Sequence, residues 1–203
     1  MELYPLFLLM AAATVCSPGP GVVMTLTNSI RYGGRGTLGG ILGISFGALI
    51  VAAISATSLG ILLAASALAF TVLKYIGAAY LIYLGIRLWR APAMEIEEIP
   101  VREAGFRQRF LEGLSLQLTN PKAIFFFLSV FPQFIEPSQD YMSQFAVLVL
   151  TYSTLVVVIH GTYALGARRA KSWFASKKGG KIVNKVGGAT FIFFGAALTT
   201  AKR

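Results

Sequence analysis

The sequence predicts an all-α polytopic membrane protein of six transmembrane helices, and three observations carry that prediction. Apolar residues make up 56% of the 203-residue chain and charged residues 13%, against roughly a quarter charged in an ordinary soluble domain. A soluble protein of this size has too little interior to hide that much hydrocarbon. The apolar residues gather in six runs, and a bilayer takes about 20 residues per helix, so six spans with short connections nearly exhaust the chain. The basic residues behind the net charge of +10 lie mostly between the runs, in loops that alternate in sign of preference.

The runs fall at residues 4–30, 38–65, 69–89, 110–134, 143–166 and 182–200. The first is not expected to be a cleavable signal, because Glu2 stands where a basic segment belongs and the apolar stretch is too long. Arg31-Tyr32-Gly33-Gly34-Arg35-Gly36 reads as a Gly-rich turn. Residues 91–109 read as a polar connector with Pro92 and Pro100, and Glu136-Pro137-Ser138-Gln139-Asp140 as a short acidic loop. The whole of 1–203 is then one transmembrane domain, with a first half of about 1–90 and a second of about 110–203.

Charge placement gives the direction of the spans. Arg31 and Arg35 lie in the first loop, and Arg87, Arg90, Arg102, Arg107 and Arg109 in and beside the third. The fifth carries Arg168, Arg169, Lys171, Lys177, Lys178, Lys181 and Lys185. The other side has Lys202 and Arg203 alone, while Lys74 and Lys122 lie within spans. The positive-inside rule makes the odd-numbered loops cytoplasmic and leaves both termini outside. Scattered over loops, these charges suit anionic lipid headgroups rather than nucleic acid. The lone cysteine, Cys16, allows neither an internal disulfide nor a cysteine metal cluster, and no cofactor is expected.

Spans three and six resemble each other at a step of 110 residues. Gly77 matches Gly187, Ala79 matches Ala189, Ile82 matches Ile192 and Gly85 matches Gly195. A duplicated three-helix unit explains this, though membrane helices rich in glycine also look alike. Three is odd, so the second copy enters from the opposite side, giving the 3+3 inverted repeat of many secondary transporters. Gly39, Gly43 and Gly47 recur every fourth residue and form one face for close helix approach.

Helices one and four are expected to break at proline motifs. In Ser17-Pro18-Gly19-Pro20 the two prolines leave the carbonyls of Thr14 and Cys16 without their helical donors. In Thr119-Asn120-Pro121-Lys122, Pro121 frees the carbonyl of Gln117, and Asn120-Pro121 reads as an N-cap with the first residue of a new half-helix. Pro18 to Pro121 is a step of 103 rather than 110, so the copies need loops of different length. Half-helix N-termini near the midplane suit a carboxylate, and freed carbonyls suit an ammonium group. A simple proline kink is the alternative.

Lys122 adjoins the second break and is the candidate for a carboxylate contact; Lys74 is a weaker one, close enough to the end of its span to snorkel. His160 is the sole histidine, able to carry protons or simply to pack. No Asp or Glu lies deep in a span, which disfavours a metal-ion transporter and a cationic substrate.

At these residues the chain resembles the LysE/RhtB family of amino-acid exporters. The resemblance spans nearly the whole length and rests on Ser17-Pro18-Gly19-Pro20, on Lys74-Tyr75-Ile76-Gly77-Ala78-Ala79-Tyr80-Leu81, and on Asn120-Pro121-Lys122-Ala123 followed by Phe131-Pro132-Gln133-Phe134. It implies efflux of amino acids or related metabolites across a bacterial cytoplasmic membrane, driven by an ion gradient, and leaves a homo-oligomer open. The substrate site expected on it comprises Ser17, Pro18, Gly19, Pro20, Asn120, Pro121, Lys122 and Lys74. A cation exporter and a non-transporting assembly factor are the alternatives. A thiol–disulfide enzyme lacks its second cysteine, and no nucleophile, base and acid come together for a hydrolase.

Overall fold

The computed structural model describes residues 3–65, 67–92, 105–136 and 138–200, and every regular element among them is helical. Most of the connector expected at 91–109 lies outside the described residues, as do Pro137, Lys202, Arg203 and the side chains of Arg168, Arg169, Lys171 and Lys177. The chain runs through α1 (Tyr4–Cys16), α2 (Pro20–Gly36), α3 (Leu38–Ala65), α4 (Ala67–Arg90), α5 (Phe106–Leu118), α6 (Pro121–Phe125), α7 (Tyr141–Ala175) and α8 (Lys177–Thr200). A π turn over Phe126–Val130 and a 3-10 turn over Phe131–Phe134 prolong α6. Three helices are long and apolar enough to cross a membrane among the described residues, and up to five spans result if each bent pair counts as one.

Both expected breaks are present. The axes of α1 and α2 meet at 56°, and those of α5 and residues 121–134 at 52°. Ser17 and Gly19 are extended, and Pro20 opens α2 at a position where its missing N–H costs nothing. Asn120 caps α6 as its sequence indicates, its side chain accepting the N–H of Lys122 at 3.1 Å.

Two boundaries differ from the expectation. The Gly-rich stretch after residue 30 stays helical to Gly36, interrupted at Gly33, whose φ of 74° is the only positive value in the chain's described backbone. The Thr37 hydroxyl donates to the Gly33 carbonyl at 3.0 Å and fixes the turn. An alanine at Gly33 should therefore cost about 1 kcal/mol through backbone strain alone, since nothing lies within 4 Å of the added methyl. A thermal melt in detergent checks this, and an unshifted midpoint would show that the turn simply readjusts. The second difference is the basic fifth loop, most of which is helix: α7 reaches Ala175 and α8 starts at Lys177. Arg and Lys are good helix formers, and no Gly or Pro interrupts residues 167–176. Ser176 makes the bend, its hydroxyl accepting the Gly179 N–H at 2.9 Å.

Small residues decide the packing. The stripe Gly39, Gly43 and Gly47 faces α5: β-carbons there would meet the carbonyls of Phe106 and Phe110 and the side chain of Gln117. α4 and α8 lie antiparallel, and their contacts are reciprocal. A β-carbon on Gly85 would lie 2.7 Å from the Gly188 carbonyl and 2.6 Å from Ile192, and one on Gly195 would lie 2.8 Å from the Ala78 carbonyl and 2.7 Å from Ile82. α3 and α7 meet at Ser45 and Ser153, each hydroxyl donating to the other residue's carbonyl at 3.2 Å. The apolar core gathers at one end of the breaks, where Phe7 of α1 packs against Phe126, Phe131 and Phe134 with ring centroids 5.3–6.1 Å apart. Asp140 closes this end as the cap of α7. Hydrogen bonds from Ser143, backbone and side chain, hold its carboxyl below the ordinary carboxylate range.

Candidate substrate site

At the first break the two halves touch through a cluster of polar groups. With Pro18 unable to donate, the carbonyl of Thr14 takes the ammonium of Lys122 at 2.8 Å, and the Ser17 hydroxyl donates to the same oxygen at 2.8 Å. The ammonium is also bonded to Ser17 at its carbonyl, 3.1 Å, and its hydroxyl, 2.9 Å. Lys122 is thus held by three oxygens of one break while its own backbone opens the half-helix at the other. Charge-assisted bonds are the strong class, and burial strengthens them.

The carbonyl of Cys16, left open by Pro20, accepts the hydroxyl of Tyr163 at 2.8 Å. Both freed carbonyls of the first span therefore have donors already. That differs from the expectation that they wait for a substrate ammonium, and the reason is the expense of a bare carbonyl in a membrane interior.

Gly19 and Gly21 keep the start of α2 bare. A β-carbon on Gly19 would sit 3.3 Å from the Lys122 ammonium, and one on Gly21 would sit 3.2 Å from Cε1 of His160. His160 is buried and shares a 2.6 Å bond between Nδ1 and the Thr25 hydroxyl. A cavity of about 310 Å³ opens beside the same break, lined by Ser17, Pro18 and Cys16 on one side and Val186, Gly187 and Thr190 of α8 on the other.

The geometry brings together Ser17, Pro18, Gly19, Pro20, Asn120, Pro121 and Lys122. Lys74 lies elsewhere on α4 with its ammonium 5.1 Å from the centroid of the half-exposed Tyr75 ring, which fits a snorkelling lysine. Sequence reasoning missed Tyr163, Thr25 and the Gly187 face of α8. For Tyr163 a signal existed, since the orphan carbonyl of Cys16 calls for a donor.

The sequence pattern of the LysE type translocator family matches residues 12–202. The chain belongs to that family. This translocator is 38% identical over 197 residues to the homoserine/homoserine lactone efflux protein of Salmonella typhimurium, covering 97% of this chain and 95% of the relative. It is equally similar, at 38% with 97% and 96% covered, to a membrane protein of Vibrio cholerae of uncharacterized function. The Bacillus subtilis membrane protein YrhP is 28% identical, with 91% and 92% covered. No solved structure matches the chain. The translocator is accordingly a membrane transport protein whose apolar helices fit a multi-pass arrangement, and its break and lysine stand in that setting.

Proposed function

We propose that this translocator is a secondary exporter of neutral amino acids and close derivatives, homoserine and its lactone foremost, working by alternating access. The carrying observation is Lys122 of the second half held in the broken first span. A carboxylate reaching the break finds that ammonium together with the first turn of α2, whose leading N–H groups lack helical acceptors. The ammonium can exchange carbonyl partners for a carboxylate without ever being left bare. Ser17, Pro18, Gly19 and Pro20 shape one side of the site, and Asn120 and Pro121 set the lysine on the other. The name of the Salmonella relative supports homoserine and homoserine lactone as the first compounds to test.

Two inverted three-helix halves are supported by the reciprocal contacts. Advancing Ala78, Ile82 and Gly85 by 110 gives Gly188, Ile192 and Gly195, and the exchange maps the two contacts of Gly85 onto the two of Gly195. The Ser45–Ser153 pair, 108 apart, behaves as a pair on the same two-fold axis. The step thus grows from 103 at the prolines through 108 to 110, so loop length absorbs the mismatch. With cytoplasmic odd-numbered loops against anionic headgroups in a bacterial inner membrane, both termini lie outside.

Cells fed homoserine-containing dipeptides test the reading. Those expressing the protein should release homoserine several-fold faster than cells without it, and equal release of homoserine and its lactone with or without the protein would sink the assignment.

A further inference from the structure

Resting on that reading, we propose that His160 is the coupling site: its Nε2 lone pair holds in turn the substrate's ammonium group and the coupling proton. The argument begins with the acceptors. A zwitterionic amino acid needs a partner for its ammonium next to the partner for its carboxylate. The carbonyls that the prolines free are occupied, that of Thr14 by Lys122 and Ser17 and that of Cys16 by Tyr163. We assign His160 the tautomer in which Nδ1 donates its hydrogen to the Thr25 hydroxyl, 2.6 Å away; Nε2 then carries a lone pair, and among the described residues the ring's hydrogen bond is the one to Thr25.

The position is suitable as well. Nε2 lies 3.9 Å from where a β-carbon of Gly21 would stand, on the first turn of α2, and the Lys122 ammonium lies 3.3 Å from the equivalent point on Gly19. The two groups thus flank one helix start, Lys122 at its cap residue Gly19 and His160 two residues on at Gly21. The titratable groups facing His160 are Lys122 from α6, Tyr163 one turn along α7 with ring centroids 6.3 Å apart, and Cys16 beyond the Tyr163 hydroxyl. α3 presents Ile44 to Gly21 there, and α2 presents Gly21 and Thr25, none of which titrates.

One lone pair serves two cations, so they exclude each other. On the cytoplasmic side the substrate ammonium displaces the proton, which leaves to the cytoplasm. On the outer side a proton from the medium replaces the departing ammonium. One proton enters per ammonium that leaves; zwitterionic homoserine adds no net charge to the site, so its export carries one positive charge inward per cycle, whereas exchange of the lactone cation for a proton is electroneutral.

The test uses the full-length protein in proteoliposomes with homoserine and an internal pH dye. In the wild type an outward homoserine gradient should drive about one proton per homoserine, and lowering the pH from about 8 to about 4 should raise the half-saturating homoserine concentration, with the rise at the acid end approaching tenfold per unit. His160→Gln keeps a donor and an acceptor but cannot titrate. Protons moved per homoserine should fall to none and the pH dependence should vanish, whatever exchange rate remains. Proton movement retained in His160→Gln overturns the proposal. If that variant fails to insert, the wild type decides: half-saturation unchanged across the pH range also overturns it. A wild type that moves neither homoserine nor its lactone would instead fail the exporter reading.

Discussion

Replacing Lys122 with methionine should lower homoserine efflux at least ~100-fold while lowering efflux of homoserine lactone by about tenfold or less. The two compounds share an α-ammonium, but only homoserine carries a carboxylate. An ammonium–carboxylate contact in a desolvated site is worth on the order of 3 kcal/mol, which sets the larger factor. The fold should survive the change. The Thr14 carbonyl keeps the Ser17 hydroxyl as donor at 2.8 Å, so only the Ser17 carbonyl is stripped, at about 1–3 kcal/mol. Transport of both compounds in vesicles, normalised to inserted protein, gives the ratio. Equal losses for the two would reduce Lys122 to a strut between the halves, and undiminished homoserine efflux would remove it from the site altogether.

How much of this was legible in the sequence follows from which forces are local. Prolines act on their own helix, so both breaks, the freed Thr14 and Cys16 carbonyls and the Asn120 cap could be read directly. The glycine stripe showed that a helix would approach closely, but naming α5 as that helix needed the tertiary structure. The partners of the freed carbonyls come from residues 108 and 147 positions away, and no local rule reaches them. Buried Asn184 is a similar case: it donates to the carbonyls of Ala91 and Pro92 at 3.1 and 2.7 Å, closing the end of α4, and in sequence is only a polar residue near the start of the last apolar run. The turn expected after residue 30 is present at Gly33, though helix runs on both sides of it, and around residue 176 arginine and lysine, good helix formers, carry helix through most of the expected loop.

Gly43→Ala should be the most damaging single-methyl change in the fold. A β-carbon there falls on the carbonyl of Phe110 and comes within 2.8 Å of the Leu114 N–H nitrogen, so it meets main chain rather than a side chain that could turn away. Gly113 stands in the reverse relation, facing the carbonyl of Gly40. The helices must separate to admit either methyl, and they lose the close packing that holds small-residue interfaces together in a bilayer. A cost of about 3 kcal/mol or more follows, read as a lowered melting midpoint in detergent. Gly161→Ala in α7 is the matched control, since nothing lies within 4 Å of its added methyl and its midpoint should not fall. The double variant Gly43→Ala/Gly113→Ala should cost clearly less than the two separate losses together, because a seam opened for one methyl already admits the other. α3 belongs to the first half of the chain and α5 to the second, so this seam crosses between the halves, and at Gly43 and Gly113 its nearest contacts are main chain. Full additivity would mean that each methyl is accommodated by local bending, and the two helices would then be free to slide rather than travel together.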